Sequence, residues 1–532
     1  MRRSFRRQKT EPMVELEPIA QPVAKMASNR KASANVASPV GKTALILQTK
    51  EGSAGSSVLA KMSRFVVVLA LMGVLYLQYH KINTNAEFPD FSHCERVLSS
   101  KNSLLNKNSE LNYSALSGEC YFSDDFYAAK NLFVQSAKNA NAEVLYMLVT
   151  DTLGTDVAIF KGSNKRFLLH VSGVHGPEGF HGSAAQVAIL QYLSVNKIYD
   201  DVRLQEEAVR GGESASMRDE AMLLPTIVLV HALNPYGMAH NRRFTEDNID
   251  LNRNFLRDEE FIAAGKRDPN IAGYVDVDSF INPKAMPTKS IFLNDIHGYF
   301  VTIYAVVNFG IEKIKKAMVT GTYSKKEGLY YGGKARTRNV QNLIDIVTDK
   351  LQIPTTSEKI VVIDVHSGLG PSGFDTLAIL SANNDTADQL ELLEKYFPKE
   401  YDSQGACVGG FKESALGGDG EGTSKRPSAM SGYELTIGTL TENFCRNFLA
   451  PHLQDGSKRV CITQEFGTVD KIFVGKAMRD ENYAYHFGTA EEREIYGRRV
   501  KDCFYVNTIK WKRQVLRRAL KLFVEGLSFL QL

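Results

Sequence analysis

The sequence predicts an α/β protein built in layers, and three observations carry that expectation. From about residue 120 onward, short β-branched or apolar runs alternate with segments of helical period. His175, His366 and Glu465 each follow such a run by a few residues. In open α/β sheets ligands gather at the C-terminal strand ends, so that placement suits a site. Composition is ordinary for a globular chain, 43% hydrophobic and 23% charged, which permits a sizeable core. There is no internal repeat.

The elements follow in order. Residues 1–64 are rich in Arg, Lys, Ser, Ala and Pro without sustained periodicity, and read as a disordered tail. The tail holds twelve Lys/Arg and four Glu, a net of +8 against +4 for the whole chain. The basic balance therefore belongs to the tail, and nothing points to a nucleic-acid partner at a site further along. Phe65–Leu77 is an uninterrupted apolar run of 13 residues. A comfortable bilayer span takes about 20. Gln78 and Tyr79 extend the run, Lys61 and Arg64 can snorkel, and thin membranes accept shorter spans. Residues 65–79 are thus expected to be a transmembrane signal anchor. Positive charge on the N-terminal side predicts a cytosolic N-terminus and a lumenal or extracellular remainder. A cleaved signal peptide and a buried core helix are the competing readings. A mitochondrial presequence is another, since Met1 to Lys9 is Arg-rich and acid-free.

Residues 80–119 read as a stalk or adaptor, and residues 120–532 as one large domain. Phe126, Ala129, Leu132 and Phe133 recur at helical spacing. Val144–Val149, Val157–Phe160 and Phe167–Val171 read as strands. A helix is expected from Glu178 through Leu193, a surface loop over 200–222, and buried strands at Thr226–Val230, Ile360–Val365 and Leu377–Leu380. Residues 405–432, rich in Gly and Ser, read as a long loop of the kind found near sites. The segment from Trp511 to Leu532 reads as a helix packed on the domain. All six cysteines (94, 120, 407, 445, 461 and 503) follow the apolar run, which suits an oxidising compartment. Cys461, inside a core strand, is expected to be an unpaired buried thiol.

The site is announced by His175-Gly176-Pro177-Glu178-Gly179. A His and a Glu three residues apart can face one side of a loop entering a helix and form half of a zinc site. Asn234-Pro235-Tyr236-Gly237, Arg242-Arg243 and Asp250-Leu251-Asn252-Arg253-Asn254-Phe255 follow. Then come Gly328-Leu329-Tyr330-Tyr331-Gly332-Gly333, Asp364-Val365-His366-Ser367-Gly368-Leu369-Gly370 and Thr463-Gln464-Glu465-Phe466-Gly467. There is no His-Glu-x-x-His, no Gly-x-Ser-x-Gly and no Walker loop.

This ordered set resembles the zinc carboxypeptidase superfamily, and within it a poorly characterised carboxypeptidase-like branch related to the succinylglutamate desuccinylase and aspartoacylase deacylases. The resemblance covers roughly residue 120 to the C-terminus. It implies a zinc-exopeptidase-like three-layer α/β/α fold with a mixed central sheet. It also implies one zinc ion per chain, held by His175, Glu178 and His366. Asp250 would orient His175, and Asp364 is the local candidate to orient His366. Glu465 would be the proton shuttle and Arg243 the oxyanion partner, with Arg242 as its alternative. Asn252 and Arg253 would grip a substrate carboxylate, the planar Arg fork suiting that task. Tyr433 is a candidate to close the site, though no motif fixes it. His181 and His297 are expected to be structural.

The expected activity is hydrolysis of an amide bond in a peptide at the membrane. An N-acyl amino-acid deacylase of the aspartoacylase type uses the same constellation and is the alternative. A catalytically silent ligand-binding ectodomain is the reading from another class.

Overall fold

The computed structural model describes residues 120–199, 224–351, 357–379, 385–397, 400–401, 407–409, 411–414 and 433–531. The expected tail, anchor and stalk lie outside these residues, as do the expected loop at 200–222 and most of the 405–432 segment. No helix among the described residues is long and apolar enough to cross a membrane. The chain divides into two units, 1–64 and 65–532, and everything described belongs to the second.

The strands are β1 (Glu143–Leu148), β2 (Gly154–Phe160), β3 (Ser163–Val171), β4 (Pro225–His231), β5 (Ser357–Ser372), β6 (Asp375–Ile379), β7 (Glu400–Tyr401), β8 (Cys407–Gly409), β9 (Phe411–Ser414) and β10 (Leu453–Gly467). Eight form one sheet in the order β1-β2-β4-β3-β5-β10-β6-β9, and β7 pairs with β8 separately. The run β4-β3-β5-β10 is parallel, while β1, β2 and β6 join antiparallel. The sheet is therefore mixed. The region read as one loop over 405–432 contains β8 and β9, whose short length gave the sequence little periodicity to display.

Period-two burial divides the central strands between two cores. Leu168, Ile227, Leu229, Val361 and Ile363 face one side. There they meet α1 (Phe126–Asn139), α2 (Gly179–Val195) and, at the chain's end, α12 (Ile509–Gln531). Phe167, Leu169, Val228, Val230, Ile360 and Val362 face the other side. They meet Leu251, Phe255, the helix at Arg338–Asp345 and the π-helical segment Leu440–Leu449. Both faces of the parallel run are covered, which explains its continuous apolar sequence. Truncating a fully buried member such as Leu168 to Ala would cost about 2–5 kcal/mol.

A third cluster lies beside the sheet. It joins α5 (Tyr274–Ile281), α6 (Ile291–Phe309) and α7 (Ile311–Thr320) to α10 (Lys471–Phe487) and α11 (Ala490–Phe504). The numbering leaves α3 for Pro235–Ala239, α4 for Asp258–Lys266, α8 for Arg338–Asp345 and α9 for Asp385–Tyr396.

Cys461 departs from expectation. It lies on the β10 face covered by the π-helical segment, which brings Cys445 against it, and the two form a disulfide. Cys120 is disulfide-bonded as well, while Cys503 is a free buried thiol.

Candidate metal centre

β3 ends at Val171 and delivers a tight loop that carries His175 into α2, with Glu178 at the helix start. A second loop, Asn234–Gly237, braces it. The Asn234 N–H donates to Gly173 O at 2.8 Å, and the Asn234 side chain donates to Arg243 O at 3.2 Å. The loops cross backbone to backbone: a Cβ on Gly176 would lie 2.0 Å from the Gly237 carbonyl carbon. Any side chain at Gly176 would push His175 off its position.

His366 comes from β5. Glu465, on the adjacent parallel strand β10, is its register partner. Metal-ligating atoms of His175, Glu178 and His366 all lie within 4.8 Å of one another, and all three residues are buried. Nδ1 of His175 is 3.0 Å from Glu178 Oε1, and Nδ1 of His366 is 2.8 Å from Glu178 Oε2. The other ring nitrogens face acids. His175 Nε2 is 3.0 Å from Asp250 Oδ1, and His366 Nε2 is 2.7 Å from Asp364 Oδ2. An outer carboxylate on each imidazole fixes its tautomer and makes it a better ligand, as in zinc sites generally. Two imidazoles and one carboxylate, buried and convergent, are a donor set that fits a zinc ion.

Burial alone would raise the Glu178 pKa, but His175, Arg243 and His366 together hold it well below the usual carboxylate range. Burial would lower the His366 pKa, but Asp364 and Glu178 raise it well above the ordinary value. Asp250 is opposed by burial yet lowered by His175, Arg253 and Arg243. Glu465 goes the other way. Burial, then the charge of Glu178, push it up to about 7, against the pull of His366, the Leu369 N–H and Arg243. Its Oε1 accepts the Leu369 N–H at 2.9 Å. A buried carboxyl poised near neutrality is what proton transfer needs.

Arg243 reaches the centre, its Nη1 donating to Glu178 Oε1 at 2.5 Å. Arg242 does not. It points away, donating to Glu481 at 2.7 Å and to Asn248, and lies against the Tyr485 ring. Only the second of the two adjacent arginines faces the cleft. Asn252 sits within 3.5 Å of His366 Nε2, and its Oδ1 accepts the Leu440 N–H at 2.8 Å. Arg253 lines the same cleft. Its Nη1 donates to Asn252 O at 2.6 Å, its Nη2 to Val319 O, and its Nε has no partner among the described residues. Tyr433 lies over Arg253, ring centroid 5.9 Å from the guanidinium carbon. His181 is buried on α2 against Phe466 and Trp511, and His297 is exposed on α6; neither joins the cluster.

The model of a family described as a protein of unknown function, DUF2817, matches residues 122–209 and 213–518. The chain belongs to the DUF2817 family. No curated protein matches it significantly. Among solved structures, the DUF2817 chain is similar to a candidate metallopeptidase from Shewanella baltica OS155. Identity there is 13% and the TM-score 0.25, covering 68% of this chain and 91% of that one. It is also similar to bovine thrombin-activatable fibrinolysis inhibitor, solved with tick carboxypeptidase inhibitor. Identity is 11% and the TM-score 0.30, covering 75% and 98%. Both likenesses are distant in sequence and in superposition.

Two contributors to the DUF2817 site carried no assigned role in the sequence. Tyr330, at φ 58°, places its ring under Arg243 and Arg253, with centroids 5.1 and 5.5 Å away. The Gly328–Gly333 block that holds it also supplies Tyr331 O, which accepts the Asp250 N–H at 2.8 Å. That block therefore positions the acid behind His175. Phe504, from the end of α11, lies 5.5 Å from the Arg243 guanidinium carbon. The block was visible as a motif. Phe504 carried no sequence signal, because only the packing of α11 brings it in.

Proposed function

We propose that this DUF2817 chain is a zinc-dependent hydrolase that cleaves an amide bond beside a free carboxylate, by a carboxypeptidase-like mechanism. The observation that carries the reading is the pairing of two features. A buried His175–Glu178–His366 cluster has an acid behind each imidazole, and a buried carboxyl near neutrality stands in register with His366 on the next strand.

His175, Glu178 and His366 would hold the ion. When bound, it supplies Lewis acidity and a water of lowered pKa. Asp250 and Asp364 keep the two imidazoles oriented with Nδ1 toward Glu178. Arg253 and Asn252 seat the substrate carboxylate. Glu465 takes a proton from the attacking water and returns it to the leaving nitrogen. Arg243 presents a fixed positive charge where negative charge builds on the carbonyl oxygen. Tyr330 and Phe504 pack against that guanidinium and restrict its movement.

Peptides with a free C-terminus are the first substrate class. N-acyl amino acids, which present the same amide and carboxylate, are the second. A silent binding domain has no use for Glu465 buried at an elevated pKa. Zinc-loaded protein offered blocked dipeptides and N-acyl amino acids should hydrolyse at least one class and stop on chelation. Turnover that persists through full metal removal would overturn the proposal.

The reading extends to topology: residues 65–79 anchor the chain, with a cytosolic N-terminus and the hydrolase facing the lumen or outside. The Cys445–Cys461 disulfide supports an oxidising compartment. In sealed vesicles, protease should remove a tag at residue 1 and spare one at residue 532; the reverse would contradict it.

A further inference from the structure

The metal centre does not end in a shallow groove. It opens into a cleft of about 1270 Å³, part of it open to solvent. Away from the ligands the walls are mostly apolar, with Thr302, Lys315, Lys471 and Arg479 interspersed. Phe280 of α5, Val301 and Ala305 of α6, Met318 of α7 and Met478 of α10 line it. Gly475 of α10 lines it too, and a Cβ built there would meet no atom within 4 Å. A glycine inside a helix is destabilising by roughly 0.5–1 kcal/mol relative to alanine. Here no close neighbour demands it, and its effect is to leave the chamber open.

The two halves of an amide substrate divide the cleft. The amine half, carrying the carboxylate, belongs to Asn252, Arg253 and Tyr433. The apolar chamber is walled largely by elements that supply none of these, and α10 begins directly after the strand that carries Glu465. Resting on the hydrolase reading above, we infer that the acyl half of the substrate carries an extended apolar group. The substrates are amides of the fatty-acyl amino-acid type, in which the chain lies between α5–α7 and α10. The bond broken is the carbonyl–nitrogen bond. Water supplies the oxygen of the released carboxylic acid and the proton gained by the amine.

The test is a series of N-acetyl-, N-octanoyl- and N-palmitoyl-alanine with zinc-loaded enzyme. A second series varies the amine half, N-acetyl-alanine against N-acetyl-phenylalanine. Burial of one methylene is worth about fourfold in kcat/KM. The octanoyl substrate should exceed the acetyl by at least about tenfold. In Gly475→Phe, and in Ala305→Phe from the facing wall, that ratio should fall toward one. Acetyl and octanoyl substrates turned over equally, or a preference residing only in the amine half, would overturn the inference and leave the hydrolase reading standing. Calorimetry of the two acyl-alanines with Glu465→Gln protein separates the reverse case. Tenfold tighter binding of the octanoyl compound, with no turnover by the parent enzyme, keeps the chamber and removes the hydrolase. Equal binding with no turnover removes both.

Discussion

Two groups of buried histidines behave in opposite ways. His175 and His366 each have a carboxylate on both ring nitrogens. His170, His181 and His231 are as deeply buried but have no carboxylate within hydrogen-bonding distance among the described residues. His170 meets the Gln186 amide at 3.2 Å, His231 meets Ser183 Oγ at 2.9 Å and stacks on Phe133, and His181 is wedged between rings. Burial lowers His170 and His181 to about 4 and His231 to about 3, while the acids around His366 raise it. Burial alone makes a core histidine. Outer acids make a ligand.

The largest effect that could break this distinction lies in the carboxyl that faces the first group. Glu465→Gln keeps the shape and should leave zinc content unchanged. It removes the proton acceptor, so turnover should fall by about 10²–10⁴-fold in a steady-state assay. Parent-level turnover would remove Glu465 from the mechanism.

A middle-sized effect sharpens the comparison. Asp250→Asn leaves His175 in place but takes away the acid behind it. Zinc affinity, measured by chelator competition, should weaken by about 10–100-fold. His231→Gln, in the other group, should not change it.

A further effect is on stability. The buried neutral histidines lie below the ordinary value of 6.5, so the unfolded chain binds more protons than the folded one as pH falls. Their contribution is complete above pH 6.5 and declines toward pH 4. By pH 5 each should have lost about 2 kcal/mol. Urea unfolding at pH 7.5 and pH 5 should show the loss, and His231→Gln should make it smaller. His366 has the opposite sign in metal-free protein. Its raised pKa gives a contribution present below pH 6.5 that is lost as pH rises through the folded value.

The same comparison explains what the sequence disclosed. His175, Glu178 and His366 were legible because strand ends and short spacings place them, and His181, three residues past Glu178, lies outside the cluster they form. Asp250 and Asp364 were legible from motif position. Local spacing says nothing about which of two neighbouring arginines turns inward; Arg243, the first choice, reaches the cluster, and Arg242, its alternative, does not. The Cys445–Cys461 disulfide and Phe504 depend on how the π-helical segment and α11 pack on the sheet. The α5–α7 wall was left unread, because its helices show their purpose only when α10 folds against them. Most strands of the sheet were visible as apolar runs, its mixed direction came only with the family resemblance, and β8 and β9 were too short to register.

The most direct test is metal stoichiometry by elemental analysis of zinc-equilibrated, desalted protein. The parent and His181→Gln should each retain about one zinc per chain, and His175→Ala and His366→Ala should retain almost none. Full zinc retention in both ligand variants, or loss of zinc from His181→Gln in a folded protein, would contradict the account.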